Sequence, residues 1–340
     1  MQNKINLGII GKNFGYRVIY KAFLKNSKYK IKGFSFRSKK INKIEIPKNI
    51  KIYSSWKKLI SSKKINAVVI AAPPILHKSI IKFALKNNKH IFCEKPFTCS
   101  YKEANIVCNL IKRKKNISHM VNYEFGEIDA FHFFKNKIIQ NIKINKIYLN
   151  WFIKIQNRPV KKWKDNFNKG GGIIFNYACH ALYYLENLLG KIVSIKSKIT
   201  IDKNSKIKSI KADLFFKKKI KVKINMKVGA IPNLIIPTHE LKIISSKNIY
   251  LLKTKLNSLS DKFSLLKFDE NNKHGKFLFK NKKNNYDFRI NPTFNNSQKF
   301  SSWILSKKTE SPNFFDAERI HLIVNKMILS SKIKKQINIS

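Results

Sequence analysis

The chain has 340 residues, 43% of them hydrophobic and 12% aromatic, with a formal charge of +53. That length predicts two domains with separate cores, and the apolar content excludes a disordered chain. The longest apolar stretches run to about ten residues, short of the roughly twenty that span a bilayer, so no membrane segment is expected.

Residues 3–118 alternate strand-like and helix-like stretches at the spacing of βαβ units, which predicts a doubly wound parallel sheet with helices on both faces. Ile5–Ile10 reads as the first strand, 14–25 as a helix, Lys30–Phe36 as the second strand and Ser54–Ser61 as a helix. Ala67–Ala72 is apolar throughout, as a central parallel strand should be. A helix over His77–Asn87, a strand at His90–Cys93 and a helix over Tyr101–Lys115 follow. The first strand begins too close to Met1 for a signal peptide, so a cytoplasmic location is the expectation.

From about residue 120 the character changes. A strand near Ser118–Tyr123, a helix over Asp129–Gln140 and a strand at Ile144–Ile153 lead to Gly170-Gly171-Gly172, after which Ile173–Leu189 reads as a helix. Between Ile192 and about Phe288 lysines alternate with apolar residues, as in Lys219-Ile220-Lys221-Val222-Lys223-Ile224. Period-two alternation means one buried and one solvated face, hence a largely antiparallel open sheet. Pro312–Ser331 returns to helical spacing. The expected fold class is α/β, with one domain over 1–119 and a second over 120–340.

The charge invites a polyanion partner, but its distribution argues against one. Only six of the 71 basic residues are Arg, and the lysines are spread along the whole chain. Phosphate forks and base readout favour Arg, so no specific nucleic-acid partner is expected. The four cysteines form no Cys-x-x-Cys pair and no His is spaced for zinc, so reduced thiols and no metal are expected.

Strand one runs into Gly11-Lys12-Asn13-Phe14-Gly15-Tyr16, a glycine turn between strand and helix where backbone N–H groups can meet a pyrophosphate. Read as G-x-G-x-x-G from Gly11, the second glycine is replaced by Asn13 and the third by Tyr16. Strand two ends in Arg37-Ser38-Lys39, where an NAD-selective site would carry an acid that holds the ribose. These residues suit a 2′-phosphate, so NADP is preferred over NAD. Ala72 and Pro73, with His77 further on, close the third strand at the edge where ligands bind in open α/β sheets. Lys95, between Glu94 and Pro96, sits where a catalytic lysine can act, and Cys93 beside it is a lesser candidate. Trp151, Trp163 and Tyr123 offer flat faces for a sugar, with core packing equally open for Trp151, and Arg158, Lys162 and Lys164 offer charge for a substrate phosphate.

Gly11–Gly15, Ala72-Pro73, Glu94-Lys95-Pro96, Asn122-Tyr123-Glu124-Phe125 and the Gly170–His180 segment together resemble the Gfo/Idh/MocA family of nicotinamide-dependent oxidoreductases. The resemblance implies a Rossmann domain, a second α/β domain whose open sheet mediates homodimers or homotetramers, and hydride transfer at a hydroxyl or keto carbon of a sugar, polyol or nucleotide sugar. It implies that Gly11, Asn13, Phe14, Gly15, Ala72, Pro73, His77, Glu94 and Asn122 hold the cofactor, Glu94 near the nicotinamide ribose. Lys95 then contacts the reacting hydroxyl and His180 serves as acid/base, with Asn176, Tyr123 and Trp163 around the substrate.

Where the family often carries Asp, this chain has Asn176 and Tyr183. Asn cannot take a proton, which leaves the relay to His180 or Lys95. His180, with an ordinary pKa near neutrality, is the stronger candidate. Asn13, Tyr16, Asn176 and Tyr183 also favour an alternative, a catalytically degenerate nucleotide-binding regulatory protein of the same fold.

Overall fold

The computed structural model describes residues 4–36, 46–153, 163–202, 206–228, 238–255, 263–280 and 286–339. They form two compact units, one of Met1–Glu124, Asn168–Gly170 and Arg289–His321, the other of Phe125–Phe167, Gly171–Phe288 and Leu322–Ser340.

The first unit is built on β1 (Ile5–Ile10), β2 (Tyr29–Ser35), β3 (Lys51–Tyr53), β4 (Ala67–Ile70), β5 (His90–Cys93) and β6 (His119–Val121). All pairs are parallel and the order is β3-β2-β1-β4-β5-β6. The crossings are made by α1 (Lys21–Leu24), entered through a π-helical turn at Gly15–Tyr20, α2 (Trp56–Ser61), α3 (Pro74–Lys86) and α4 (Tyr101–Ile111). Every residue of β4 is fully buried, the condition its unbroken apolar run predicts for a strand covered on both faces. Pro74 occupies the first turn of α3, where a missing N–H costs no helical bond. The strand β3 was not foreseen in the sequence.

The helix Ile290–Ser306, also unforeseen, belongs to this unit although the sequence grouped it with the second half. Its Phe300, Trp303 and Ile304 join Phe23, Phe34 and Phe92 in one core, and Asn26 Nδ2 donates to Ser297 Oγ at 3.2 Å. Its buried face is half polar, since Thr293, Asn296, Ser297 and Ser301 are all fully buried, and that mixture hides the apolar period a helix is read from.

The second unit carries α5 (Asp129–Lys137), α6 (Cys179–Leu189) and nine strands: β7 (Ile144–Ile153), β8 (Ile192–Ile201), β9 (Ile207–Phe216), β10 (Lys221–Val228), β11 (Thr238–Ser245), β12 (Ile249–Lys255), β13 (Ser264–Phe268), β14 (Lys276–Phe279) and β15 (Ile337–Asn338). Their order is β14-β13-β12-β11-β7-β10-β9-β8-β15, antiparallel except for β7 with β10. In β10, Val222, Ile224 and Met226 are buried while Lys221 and Lys223 face water. Each such buried side chain contributes about 1.5–3 kcal/mol, so a one-residue slip that exchanged the faces would remove most of the strand's stabilisation. The helix Phe314–Ile333 divides between the units at His321 and Leu322. Its last turns hold β8: Ser197 N donates to Ser330 Oγ at 3.0 Å and Ser197 Oγ to the Met327 carbonyl at 2.6 Å.

Candidate active site

In the first unit the carboxyl ends of β1, β4, β5 and β6 gather the sequence motifs along the edge beside which the strand order reverses, the place where doubly wound sheets bind ligands. Gly11 closes β1 with φ +130°, its N–H donating to the Ser35 carbonyl at 2.9 Å. A Cβ there would stand 2.2 Å from the Ala71 carbonyl oxygen. The glycine is therefore demanded twice, by its backbone angle and by the close passage of β4. Gly15 is buried at the first π-helical position, while Asn13 is exposed and Phe14 half-buried. Ala72 and Pro73 lie in the turn between β4 and α3, half-buried and exposed. Arg37, Ser38 and Lys39 lie outside the described residues.

His77 has a different job from the one its position suggested. It is fully buried, with Nε2 at 2.8 Å from the Ala72 carbonyl and Nδ1 at 3.1 Å from the Phe97 carbonyl. The ring thus fills the space between the loop after β4 and the loop after β5, its one N–H in the neutral form donating to one of these carbonyls and both nitrogens facing the protein rather than a ligand. Burial lowers its pKa, and the two carbonyls partly oppose that. Cys93 is no nucleophile either, because burial, followed by the charge of Glu94, pushes its thiol well above the ordinary range.

Glu94 and Lys95 follow β5, and Gly170 lies against Pro96: a Cβ on Gly170 would come 3.4 Å from Pro96 Cγ and 3.0 Å from Pro74 Cβ. Lys95 is half-buried. Glu94 is 7% exposed and Asn122, at the end of β6, is fully buried. Asn122 Nδ2 donates to Glu94 Oε1 at 2.7 Å and to Thr293 Oγ1 at 3.1 Å, and Asn122 Oδ1 accepts from Asn296 Nδ2 at 3.0 Å. The amide is thereby fixed in one orientation. Burial, then the neighbouring charge of Glu124, pushes the Glu94 carboxyl from its ordinary 4.5 to about 8, against the pull of Asn122, Lys95 and Arg289. Near neutral pH it is largely a neutral acid, able to donate a hydrogen bond as well as accept one. Thr293, Asn296, Glu124 and Arg289 escaped the sequence reading as site residues. Only Glu124 carried a local signal, two positions after Asn122.

Tyr123 is fully buried in this unit and packs as core; the flat sugar-binding face expected of it is not presented.

In the second unit the stretches 163–167 and 171–180 are joined by short-range contacts. Asn176 Nδ2 donates to the Lys164 carbonyl at 2.8 Å, and Gly171 N donates to the Asn166 carbonyl at 2.8 Å. Gly171 has no room for a side chain, since a Cβ would meet the Trp163 carbonyl at 2.3 Å. Trp163 is half-buried, with Lys164 Nζ 5.8 Å from its ring centre. Asn176 thus anchors the turn that carries Trp163. Arg158 and Lys162 lie outside the described residues.

His180 stands in the first turn of α6, after a π-helical turn at Ile174–Ala178, and is 1% exposed. Its ring lies 4.6 Å from Phe125, which also contacts Trp151, His239, Phe263 and Phe288. Trp151 is core, stacked on His239 at 3.7 Å. Tyr183 packs where Gly126 provides the space, a Cβ on Gly126 falling 2.7 Å from the Tyr183 ring. Among the described residues the two π-helical turns, Gly15–Tyr20 and Ile174–Ala178, fall at the two motifs singled out in the sequence. Such turns commonly mark functional segments of helices. No cluster of three or more metal-ligating side chains occurs among the described residues, and no described helix is long and apolar enough to cross a membrane.

A parallel sheet of this order, with a glycine at positive φ closing its first strand, defines a dinucleotide-binding Rossmann unit. Residues 5–123 match the Gfo/Idh/MocA family, an oxidoreductase family with an NAD-binding Rossmann fold. An uncharacterized oxidoreductase of Schizosaccharomyces pombe is 29% identical over 44% of this chain and 41% of its own length. Levoglucosan dehydrogenase of Pseudarthrobacter phenanthrenivorans is 30% identical over 42% of this chain and 38% of its own. The matched segment therefore spans about two fifths of these curated relatives. A solved levoglucosan dehydrogenase in complex with NADH and levoglucosan superposes with a TM-score of 0.77 at 16% identity, covering 99% of both chains, a similarity of fold.

Proposed function

We propose that the protein is a nicotinamide-dinucleotide-dependent dehydrogenase or reductase acting at a hydroxyl or keto carbon of a sugar, polyol or nucleotide sugar. The observation that carries this reading is the Glu94-Lys95 pair at the end of β5, with Glu94 locked to Asn122 and Lys95 left half-buried at the ligand edge of the sheet. Gly11, Asn13, Phe14, Gly15, Ala72, Pro73, Glu94 and Asn122 would hold the dinucleotide, which when bound supplies the hydride acceptor or donor. The partly similar levoglucosan dehydrogenase supports a sugar-like substrate.

Lys95 grips and polarises the reacting oxygen. His180 takes the hydroxyl proton in oxidation and returns it in reduction, since Asn176 cannot exchange one. Trp163 lines the substrate, and Asn176 both holds the Trp163 turn and offers its amide to a substrate hydroxyl. Arg37 and Ser38 favour the 2′-phosphate of NADP over NAD. A homodimer or homotetramer completes the reading.

One experiment tests it. NADPH and NADH are titrated into the wild type, Arg37→Asp and Lys95→Ala, and cofactor turnover is followed with a panel of sugars and polyols. The expected outcome is tighter NADPH binding that Arg37→Asp reverses, and turnover lowered about 10²- to 10⁴-fold in Lys95→Ala at near-unchanged cofactor affinity. Cofactor binding without turnover on any alcohol or keto sugar would instead establish the nucleotide-binding regulatory alternative.

A further inference from the structure

The segment that returns to the first unit at Arg289 brings a cation to the loop after β1. The guanidinium carbon of Arg289 lies 5.0 Å from the centre of the Phe14 ring, within the range of a cation–π contact. Arg289 is half-buried at the N-terminal boundary of the 17-residue helix Ile290–Ser306. Along that helix, Thr293 and Asn296 hold the Asn122 amide that in turn holds Glu94. One short stretch of chain therefore touches both ends of the expected cofactor track, the glycine loop and the acid after β5.

The loop itself shows why a cation belongs there. In a G-x-G-x-x-G turn the second glycine lets backbone N–H groups close on the pyrophosphate, and here that position is Asn13, an exposed side chain. The helix that follows begins at Asn13 and widens into a π-helical turn at Gly15, with no side-chain cap on Phe14 and no acidic residue in the first turn of the π-helical segment. The contact with Phe14 places beside the loop a guanidinium whose planar fork of donors suits two phosphate oxygens.

We propose that Arg289 is a cofactor-binding residue that takes the pyrophosphate of the dinucleotide, supplying from the returning segment the contact that the loop lacks at Asn13. The proposal rests on the dinucleotide reading of this unit and adds to it a residue more than 270 positions away from the loop.

The test uses the full chain, with NADH and ADP-ribose as separate probes titrated calorimetrically, because ADP-ribose keeps the pyrophosphate and lacks the nicotinamide. Arg289→Met retains the stem against Phe14 and removes the charge; Arg289→Lys retains charge without the planar fork. Both probes should bind about 10- to 100-fold more weakly to Arg289→Met, with Arg289→Lys in between, while thermal melts stay close to wild type. A folded Arg289→Met that binds ADP-ribose as well as the wild type does would overturn the proposal, as would a loss confined to NADH. Should Arg289→Met fold poorly, Phe14→Leu reports on the same contact by removing the stacking face, and unchanged affinity for both probes in that variant and in Arg289→Lys counts against it. A wild type that binds neither these probes nor NADPH defeats the dinucleotide reading itself, a result distinct from either outcome.

Discussion

The two candidate regions are built from opposite materials. Around Glu94 in the first unit, four buried side chains, Glu94, Asn122, Thr293 and Asn296, are joined by hydrogen bonds of 2.7–3.1 Å. In the second unit the His180 ring lies 4.6 Å from Phe125, which is itself set among the rings of Trp151, His239, Phe263 and Phe288. A polar network fixes the direction of each atom and is costly to leave half-made. A shell of rings fixes volume and tolerates a substitute of similar shape. The same fold therefore supports one site by directional bonds and another by packing.

The largest effect should come from breaking the polar network at its hub. Asn122→Leu keeps the γ-branched shape but leaves Glu94, Thr293 and Asn296 without their amide partner, and unfolding in urea should show a loss of about 3 kcal/mol. A loss under about 1 kcal/mol would mean that the network is slack or wet.

Next in size is a pH effect. The Glu94 carboxyl is raised in the folded state from 4.5 to about 8, so the folded chain binds a proton more tightly than the unfolded chain. Its contribution to stability is fully present below about pH 4.5 and disappears as the pH rises through about 8. Between pH 6.5 and pH 9 the wild type should lose about 2 kcal/mol relative to Glu94→Gln, which keeps an acceptor for Asn122 and cannot ionise. Parallel stability curves for the two proteins over that range would show that Glu94 ionises normally.

The smallest stability change should come from His180→Phe, within about 1 kcal/mol, because a ring of similar size keeps the contact with Phe125. Turnover should nevertheless fall about 10²-fold or more. An active His180→Phe would return this histidine to the core.

Much of the first unit was legible because its signals are local. The β4 run Ala67–Ile70, the turn at Gly11 and the Glu94-Lys95-Pro96 stretch each announce themselves within a few residues, since burial on both faces, a positive φ and a strand end each demand particular residue types. The alternation of Val222, Ile224 and Met226 with lysines likewise exposed the antiparallel sheet. His77 was misread because its position at a strand end is shared by ligand-binding and loop-tying residues, and only the carbonyls of Ala72 and Phe97 distinguish them. Tyr123 and Trp151 were ambiguous for the same reason, as a ring that lines a pocket and a ring that fills a core have one chemistry.

The amino-acid order alone thus determined the parallel sheet, the open antiparallel sheet and the strand-end motifs, because pattern and backbone demand act over a few residues. The tertiary structure decided what those motifs touch. Thr293 reaches Asn122 across 171 positions and Arg289 reaches Phe14 across a longer span, contacts that depend on the return of one helix to the first core. No spacing along the chain encodes them, since the packing that draws that helix back is summed over Phe300, Trp303, Ile304 and their partners rather than written at any one residue.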